Sequence, residues 1–182
     1  MKKMIVVALA LLSGCMLRAQ ELGLSTNVAD YIAGGTMNME AAYAFARHWT
    51  LSAGVKYNPF SFGEGENTFR MRQRCVSAGA RYWPWHIFSG WWLGTKLQYQ
   101  EFNEGGIVSP STSEGDRYGA GLSAGYSRML GKHFNMDFGL GMWGGYTVYT
   151  TYSCPTCGRK VDQGRKMFVL PNDVILGINY IF

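Results

Sequence analysis

From Leu22 to the carboxy terminus, apolar and polar positions alternate with a period of two, the repeat of a strand with one apolar face, and not with the 3.6 of an amphipathic helix. Met37, Met39, Ala41, Tyr43 and Phe45 interleave with Asn38, Glu40, Ala42 and Ala44. Trp49, Leu51, Ala53, Val55 and Tyr57 interleave with Thr50, Ser52, Gly54, Lys56 and Asn58. The same alternation runs through Val76–Tyr82, Trp91–Gln100, Tyr118–Tyr126, Phe134–Met142 and Val174–Phe182, and Leu22–Ala29 supplies a first strand. Eight strands are predicted. Each is close to the ~9–11 residues that a tilted strand needs to cross a bilayer.

The apolar set carries aromatics near its ends, whereas the other set is Gly, Ser, Gln and charged residues. A soluble sandwich or lipocalin-like barrel would bury the apolar face and turn the polar one to water. Here the polar face is too polar for a core, and the apolar face too continuous for a surface. The pattern predicts an all-β fold, an eight-stranded antiparallel up-and-down transmembrane β-barrel with lipid outside and a hydrogen-bonded interior.

Connector lengths predict an orientation. The turns around Arg47-His48, Pro84 to Gly90 and Gly131-Lys132 are short. The connectors Asp30 to Gly34, Pro59 to Thr68, Asn103 to Asp116 and Tyr152 to Arg165 are longer or more polar. Short turns belong on the periplasmic side and long loops outside. Loops then point outward, and both termini are periplasmic. The last strand ends on Tyr180-Ile181-Phe182, which resembles the aromatic signal read by the barrel assembly machinery of the outer membrane.

Composition narrows the picture further. Hydrophobic residues make up 47%, charged residues 16%, aromatics 15%, and there are 24 glycines in 182 residues. That excludes disorder, a coiled coil and a helical membrane bundle. The net charge of +5 hints at nucleic acid. Lys2, Lys3 and Arg18 account for three of the 17 basic residues, however, and the rest of the chain has 14 bases against 12 acids, or +2. No nucleic-acid partner is expected.

Those three bases lie in a segment that reads as an export signal: a basic start, then an apolar run from Met4 to Leu12 too short to span. Two processing sites overlap. Leu12-Ser13-Gly14-Cys15 fits a lipobox with Cys15 as the acylated residue, and Leu17-Arg18-Ala19 fits ordinary cleavage before Gln20. Ordinary cleavage is the reading adopted, with residues 1–19 removed and residues 20–182 forming the barrel domain; lipidation at Cys15 is the alternative.

Several strings resemble a known family in order and spacing. They are Ser25-Thr26-Asn27, Trp49-Thr50-Leu51, Tyr57-Asn58-Pro59-Phe60-Ser61-Phe62 and Ala80-Arg81-Tyr82-Trp83, followed by Gly119-Ala120-Gly121 leading to Tyr126. Cys154-Pro155-Thr156-Cys157-Gly158 and the ending Asn179-Tyr180-Ile181-Phe182 complete the set. Together they resemble an uncharacterised outer-membrane barrel family, domain of unknown function 3575, of the small eight-stranded OmpA-like type. Departures are Ser25, where a basic residue is expected, and Trp91-Trp92, where a His-aromatic pair is usual. The resemblance implies an outer-membrane barrel, sometimes linked to fimbrial assembly, and brings no catalytic residues.

Candidate chemistry is sparse. Cys154 and Cys157 form a CxxC in an outward loop. Redox work would need a helix amino terminus there, and zinc would need two more ligands nearby in sequence. The exported compartment favours a disulfide clip. Cys75 is left as a free thiol facing the lumen. His48, His86 and His133 fall in the short turns beside apolar neighbours and read as interfacial residues, so neither a metal nor His-dependent catalysis at the outer rim is expected. Glu40, Lys56, Arg81, Lys96 and Asp137 occupy inward positions and are expected to pair in a lumen filled by side chains. Arg70, Arg72 and Arg74 share the outward parity at the outer end of the fourth strand and are candidates for lipid phosphate.

No cofactor is expected. The sequence is read as a non-enzymatic outer-membrane protein with a structural or interaction role at the cell surface. The alternative is a lipid-active enzyme or small-ligand binder at the lumen mouth.

Overall fold

The computed structural model describes residues 21–63, 69–106, 111–154 and 158–182. In chain order its elements are β1 (Leu22–Asn27), α1 (Val28–Ile32), β2 (Met37–Ala46), β3 (Trp49–Asn58), β4 (Ser61–Phe62), β5 (Phe69–Tyr82), β6 (Gly90–Gly105), β7 (Thr112–Met129), β8 (Phe134–Tyr152) and β9 (Lys160–Ile181). The strands form one antiparallel sheet in the order β3-β2-β1-β9-β8-β7-β6-β5-β4. β3 also pairs with β5, from Trp49↔Tyr82 to Asn58↔Gln73, which closes eight strands into a barrel. β4 is a two-residue extension lying on β5 outside the closed ring.

Closure satisfies the backbone of short strands that have no edge to spare. The two ends of the barrel differ. One carries the chain terminus, where the Phe182 amide donates to the Leu22 carbonyl at 2.9 Å, together with the three short turns. We call this the near end. The far end carries the long connectors.

Period-two alternation places the apolar set outside. Leu97, Leu122 and Leu140 are 68, 68 and 69% exposed, although a soluble barrel would bury such residues. Rings bound this belt on both sides. Trp49, Trp91, Tyr126 and Phe138 lie toward the near end, and Tyr57, Tyr99, Tyr118 and Tyr146 follow or precede them by eight residues on the same strands. Neighbouring rings touch: Trp49–Tyr82 centroids are 5.1 Å apart, Trp91–Tyr126 5.4 Å and Tyr118–Tyr146 6.3 Å. Eight residues rise about 26 Å along a strand. Tilting by ~40° reduces that to about 20 Å along the barrel axis.

The interior is layered. At the near end Trp83, Phe88 and Trp92 are buried with Ala42, Ala44 and Ile181 in one apolar cluster. The turn between β5 and β6 folds inward to build it. Phe88 takes a left-handed φ of 59°, and its carbonyl accepts hydrogen bonds from the Ser127 hydroxyl at 3.0 Å and the Asn135 amide. Trp92 lies flat because Gly125 and Gly139 face it. A Cβ at either position would come within 2.5 or 2.9 Å of the ring.

Three expectations are corrected. The first strand stops at Asn27, two residues short of the predicted Ala29, and gives way to α1. β2 begins only at Met37, which the β1–β2 register sets opposite Val28, so a strand continuing to Ala29 would run past that neighbour. The turn meets its own hydrogen bonds instead, through Ala33 N to Ala29 O and Gly35 N to Tyr31 O, both at 2.9 Å. Second, much of the connectors Asn103–Asp116 and Tyr152–Arg165 is strand: β6 runs to Gly105, β7 starts at Thr112, and Lys160–Arg165 pairs with Val148–Tyr152. Third, the last strand is not Val174–Phe182 but starts at Lys160. A bulge hides the extension. Gly141 faces Asp173 but Trp143 faces Leu170, so β9 inserts an extra residue and its alternation changes phase. Odd residues Met167 and Val169 point outward above the bulge, and even residues Val174 and Ile178 below it.

β1, β2 and β3 have 6, 10 and 10 residues, whereas β7, β8 and β9 have 18, 19 and 22. One side of the barrel therefore rises past the far rim as a wall built by β5 to β9.

Candidate functional site

The mid-barrel holds the charges that the strand parity assigns to the lumen. Arg81 on β5 forks between two carboxylates, with Nη1 3.0 Å from Asp137 Oδ2 and Nη2 2.5 Å from Glu40 Oε1. Its guanidinium carbon stands 4.7 Å above the Trp92 ring, so the network rests on the near-end apolar cluster. Lys96 Nζ is 2.6 Å from Asp173 Oδ2. Lys56 Nζ lies 2.8 Å from Asp30 Oδ2 and 4.0 Å from Asp173 Oδ1. Glu40, Lys56, Arg81, Lys96 and Asp137 are thus joined by two acids that sequence reading missed. Asp173 lies next to the bulge that conceals the phase of β9, and Asp30 lies on the unexpected helix. A balance of charge was the available signal: three bases with two acids leave a base unmatched.

A polar cavity of about 80 Å³ remains among these groups. The space, polar on its walls, has room for several ordered waters. Above it the lumen is roofed. Thr36 Oγ1 accepts from the Asn58 amide at 3.0 Å and the Gln73 amide at 3.1 Å, and the Gln100 amide donates to Gln73 Oε1 at 2.6 Å. Asn58 Nδ2 also donates to the Gly34 carbonyl at 2.8 Å, which ties the α1 turn across the mouth. Gly34 and Gly35 reverse the chain there with φ of 92° and 73°. A side chain at Gly34 would reach within 2.7 Å of Met71 Sδ.

A second concavity of about 450 Å³ opens on the inner face of the wall, above that roof. Phe102, Tyr149, Phe168 and Leu170 line it, with Arg117 and Lys166. Register explains the grouping: Arg117 pairs with Thr147, and Thr147 with Lys166, in one row across β7, β8 and β9. Arg117 is bidentate on Glu104 at 2.7 and 2.9 Å and lies 3.7 Å over the Phe102 ring. Lys166 Nζ is 4.6 Å above the Tyr149 ring. The Trp143 and Phe168 rings meet edge to face at 4.6 Å. The Thr147 hydroxyl is buried with no hydrogen-bond partner among the described residues.

Two tyrosines at this level donate to carboxylates, Tyr149 to Asp162 at 3.0 Å and Tyr152 to Glu114 at 2.8 Å. Each carboxylate holds its phenol protonated, raising both tyrosines above the ordinary phenol range.

The remaining candidates are dispersed. Arg72 and Arg74 are exposed on the outer face and Arg70 is half-buried. Arg72 Nε donates to the Pro59 carbonyl at 3.1 Å, and Arg74 lies 4.0 Å from Glu101 and 5.9 Å from the Tyr57 ring. Cys75 is a buried free thiol on β5 inside the closed ring, in register with Lys56 of β3. Cys154 is engaged, while Cys157 lies outside the described residues, as do residues 1–19 with Cys15. His48 and His133 each place Nδ1 2.8 Å from a backbone carbonyl, of Trp83 and Ile181 respectively, so that nitrogen carries the proton and the ring pins a near-end turn. His86 sits in the third short turn, at a bridge to Ser89.

A belt of exposed apolar side chains around an ion-paired, capped lumen defines a closed antiparallel β-barrel of eight strands whose faces are inverted relative to a soluble protein. A family model described as protein of unknown function (DUF3575) matches residues 4–182, and the chain belongs to that family. A comparison with curated proteins found no match.

Proposed function

We propose that this protein is an integral barrel of the bacterial outer membrane, exported by its first 19 residues, that anchors and presents a surface to a partner and has no enzymatic role. The belt of outward apolar residues between two aromatic rings carries the reading. Its height of about 20 Å approaches the ~25 Å apolar band of such barrels. No described helix is long and apolar enough to cross a membrane, so the proposal rests on strands.

Near-end turns are short, and Leu22 and Phe182 meet there, which fits the periplasmic side; the wall of β5 to β9 then stands outside the cell. Phe182, one residue past the last strand, suits recognition by the assembly machinery. The capped lumen favours an anchor over a pore. All three histidines lie at the opposite end from the wall, so a nucleophile there would lack an imidazole base, which favours an interaction role, with a fimbrial or other surface protein as the partner that family resemblance suggests. The concavity with its unpartnered Thr147 hydroxyl favours, as a second reading, a small ligand held at the mouth.

Fractionation tests the anchoring. The protein is expected with the outer membrane, migrating faster on a gel unheated than boiled, because a closed barrel resists detergent. Recovery as a soluble periplasmic protein of unchanged mobility would overturn the reading.

A further inference from the structure

The wall has two edges above the far rim, because β1, β2 and β3 stop short of it. They are treated differently. The edge of β5 is covered where β4 pairs with it, Ser61 with Arg70 and Phe62 with Phe69. β9 is paired with β1 only between Gly177 and Ile181. The Asn27 side chain extends that ladder by two bonds, its amide donating to the Val174 carbonyl at 2.9 Å and its Oδ1 accepting from the Leu176 amide at 2.8 Å. Above Pro171, residues Lys160–Leu170 have β8 on one side and, among the described residues, no strand on the other.

An antiparallel strand points about half of its backbone N–H and C=O groups to each side. The stretch therefore presents a row of open donors and acceptors, the template for strand addition. Both of its faces are usable. Val161, Met167 and Val169 are exposed outward at 64, 72 and 70%, and Phe168 and Leu170 line the inner concavity.

Charge selects the occupant. Lys160, Arg165 and Lys166 outweigh Asp162, leaving the edge at +2. A second copy would set this edge against its like, whereas acidic residues directly across from the bases are favourable. We propose that the open edge of β9, Lys160–Leu170, docks an extended acidic segment of another polypeptide, which adds to the wall as a further strand. Its acids lie against Arg165 and Lys166, and its apolar residues continue the rows of Met167 and Val169 outside and Phe168 and Leu170 inside. The inference rests on the outward placement of the wall proposed above.

The test uses the full protein in detergent micelles, on preparations whose heat-modifiable migration is intact. Absence of that migration in the wild type counts against the anchoring reading alone. The probe is a synthetic eleven-residue peptide alternating Glu with Val and Thr. Its Lys counterpart and a version N-methylated at alternate residues serve as comparisons. Hydrogen exchange across β9 is the readout. The Glu peptide is expected to slow exchange within Lys160–Leu170 and leave Gly177–Ile181 unchanged, and N-methylation is expected to abolish the effect. An Arg165→Glu, Lys166→Glu double variant, checked for the same migration, is expected to lose at least tenfold in affinity for the Glu peptide and to gain for the Lys peptide. Three results would overturn the proposal: protection elsewhere in the barrel, equal binding of the N-methylated peptide, or protection of the edge without peptide that rises with protein concentration. The last would assign the edge to a second copy.

Discussion

Arg81 shows how much a single lumen position carries. It bridges strands that are far apart in sequence, reaching Glu40 on β2 and Asp137 on β8 across the barrel, and it covers Trp92. The Asp137 side chain is 2% exposed, so removing its partner leaves a charge with little water to solvate it. Arg81→Met is expected to destabilise the barrel by roughly 3–5 kcal/mol, the usual cost of a half-removed buried pair. Adding Asp137→Asn should recover part of the loss. The temperature at which the fast-migrating form converts to the slow one reads both variants; an Arg81→Met barrel converting at the wild-type temperature would contradict the role. Parity alone placed Arg81, Glu40 and Asp137 inside, because the period of two is unbroken around them. It did not find Asp173 or Asp30, whose positions depend on a bulge and a helical turn that no alternation announces.

The strands themselves were legible wherever the alternation is clean, as in Trp49–Tyr57 or Tyr118–Tyr126. Their far ends were not. Lys160–Arg165 reads as a basic loop because most of its residues are polar on both faces and out of phase with Val174–Phe182, yet it pairs with β8, with Val161 left out at a bulge. The near-end plug was equally hidden: Pro84 to Gly90 reads as a short turn, and only the burial of Trp83 and Phe88 against Trp92 shows that it fills the barrel. The longer hairpin changes what the CxxC controls. The tip between Tyr152 and Lys160 is already closed by Ser153 N donating to Arg159 O at 3.0 Å. A bond between Cys154 and Cys157 closes a very short ring and restrains few unfolded conformations. Cys154→Ser, Cys157→Ser is therefore expected to fold and insert like the wild type. Hydrogen exchange should quicken at the tip while Val148–Tyr152 stays protected. Failure of the double variant to assemble would make the pair structural to the barrel, and stoichiometric zinc in the wild type would show that it is not a clip.

For the molecule as a whole, the decisive property is which face meets water. Leu122 in the middle of the belt and Val161 on the wall are both largely solvent-exposed on the protein surface, at 68 and 64%. In a water-soluble barrel they are equivalent. In the outer membrane, oriented as proposed, one is covered by lipid and the other stands outside the cell. Leu122→Cys and Val161→Cys, each made with Cys75, Cys154 and Cys157 replaced by serine, separate the two cases when intact Gram-negative cells are treated with a membrane-impermeant maleimide. The account predicts that Val161→Cys is labelled and that Leu122→Cys is labelled only after denaturation. Equal labelling of the two in a soluble fraction, or labelling of neither from outside intact cells, would contradict it.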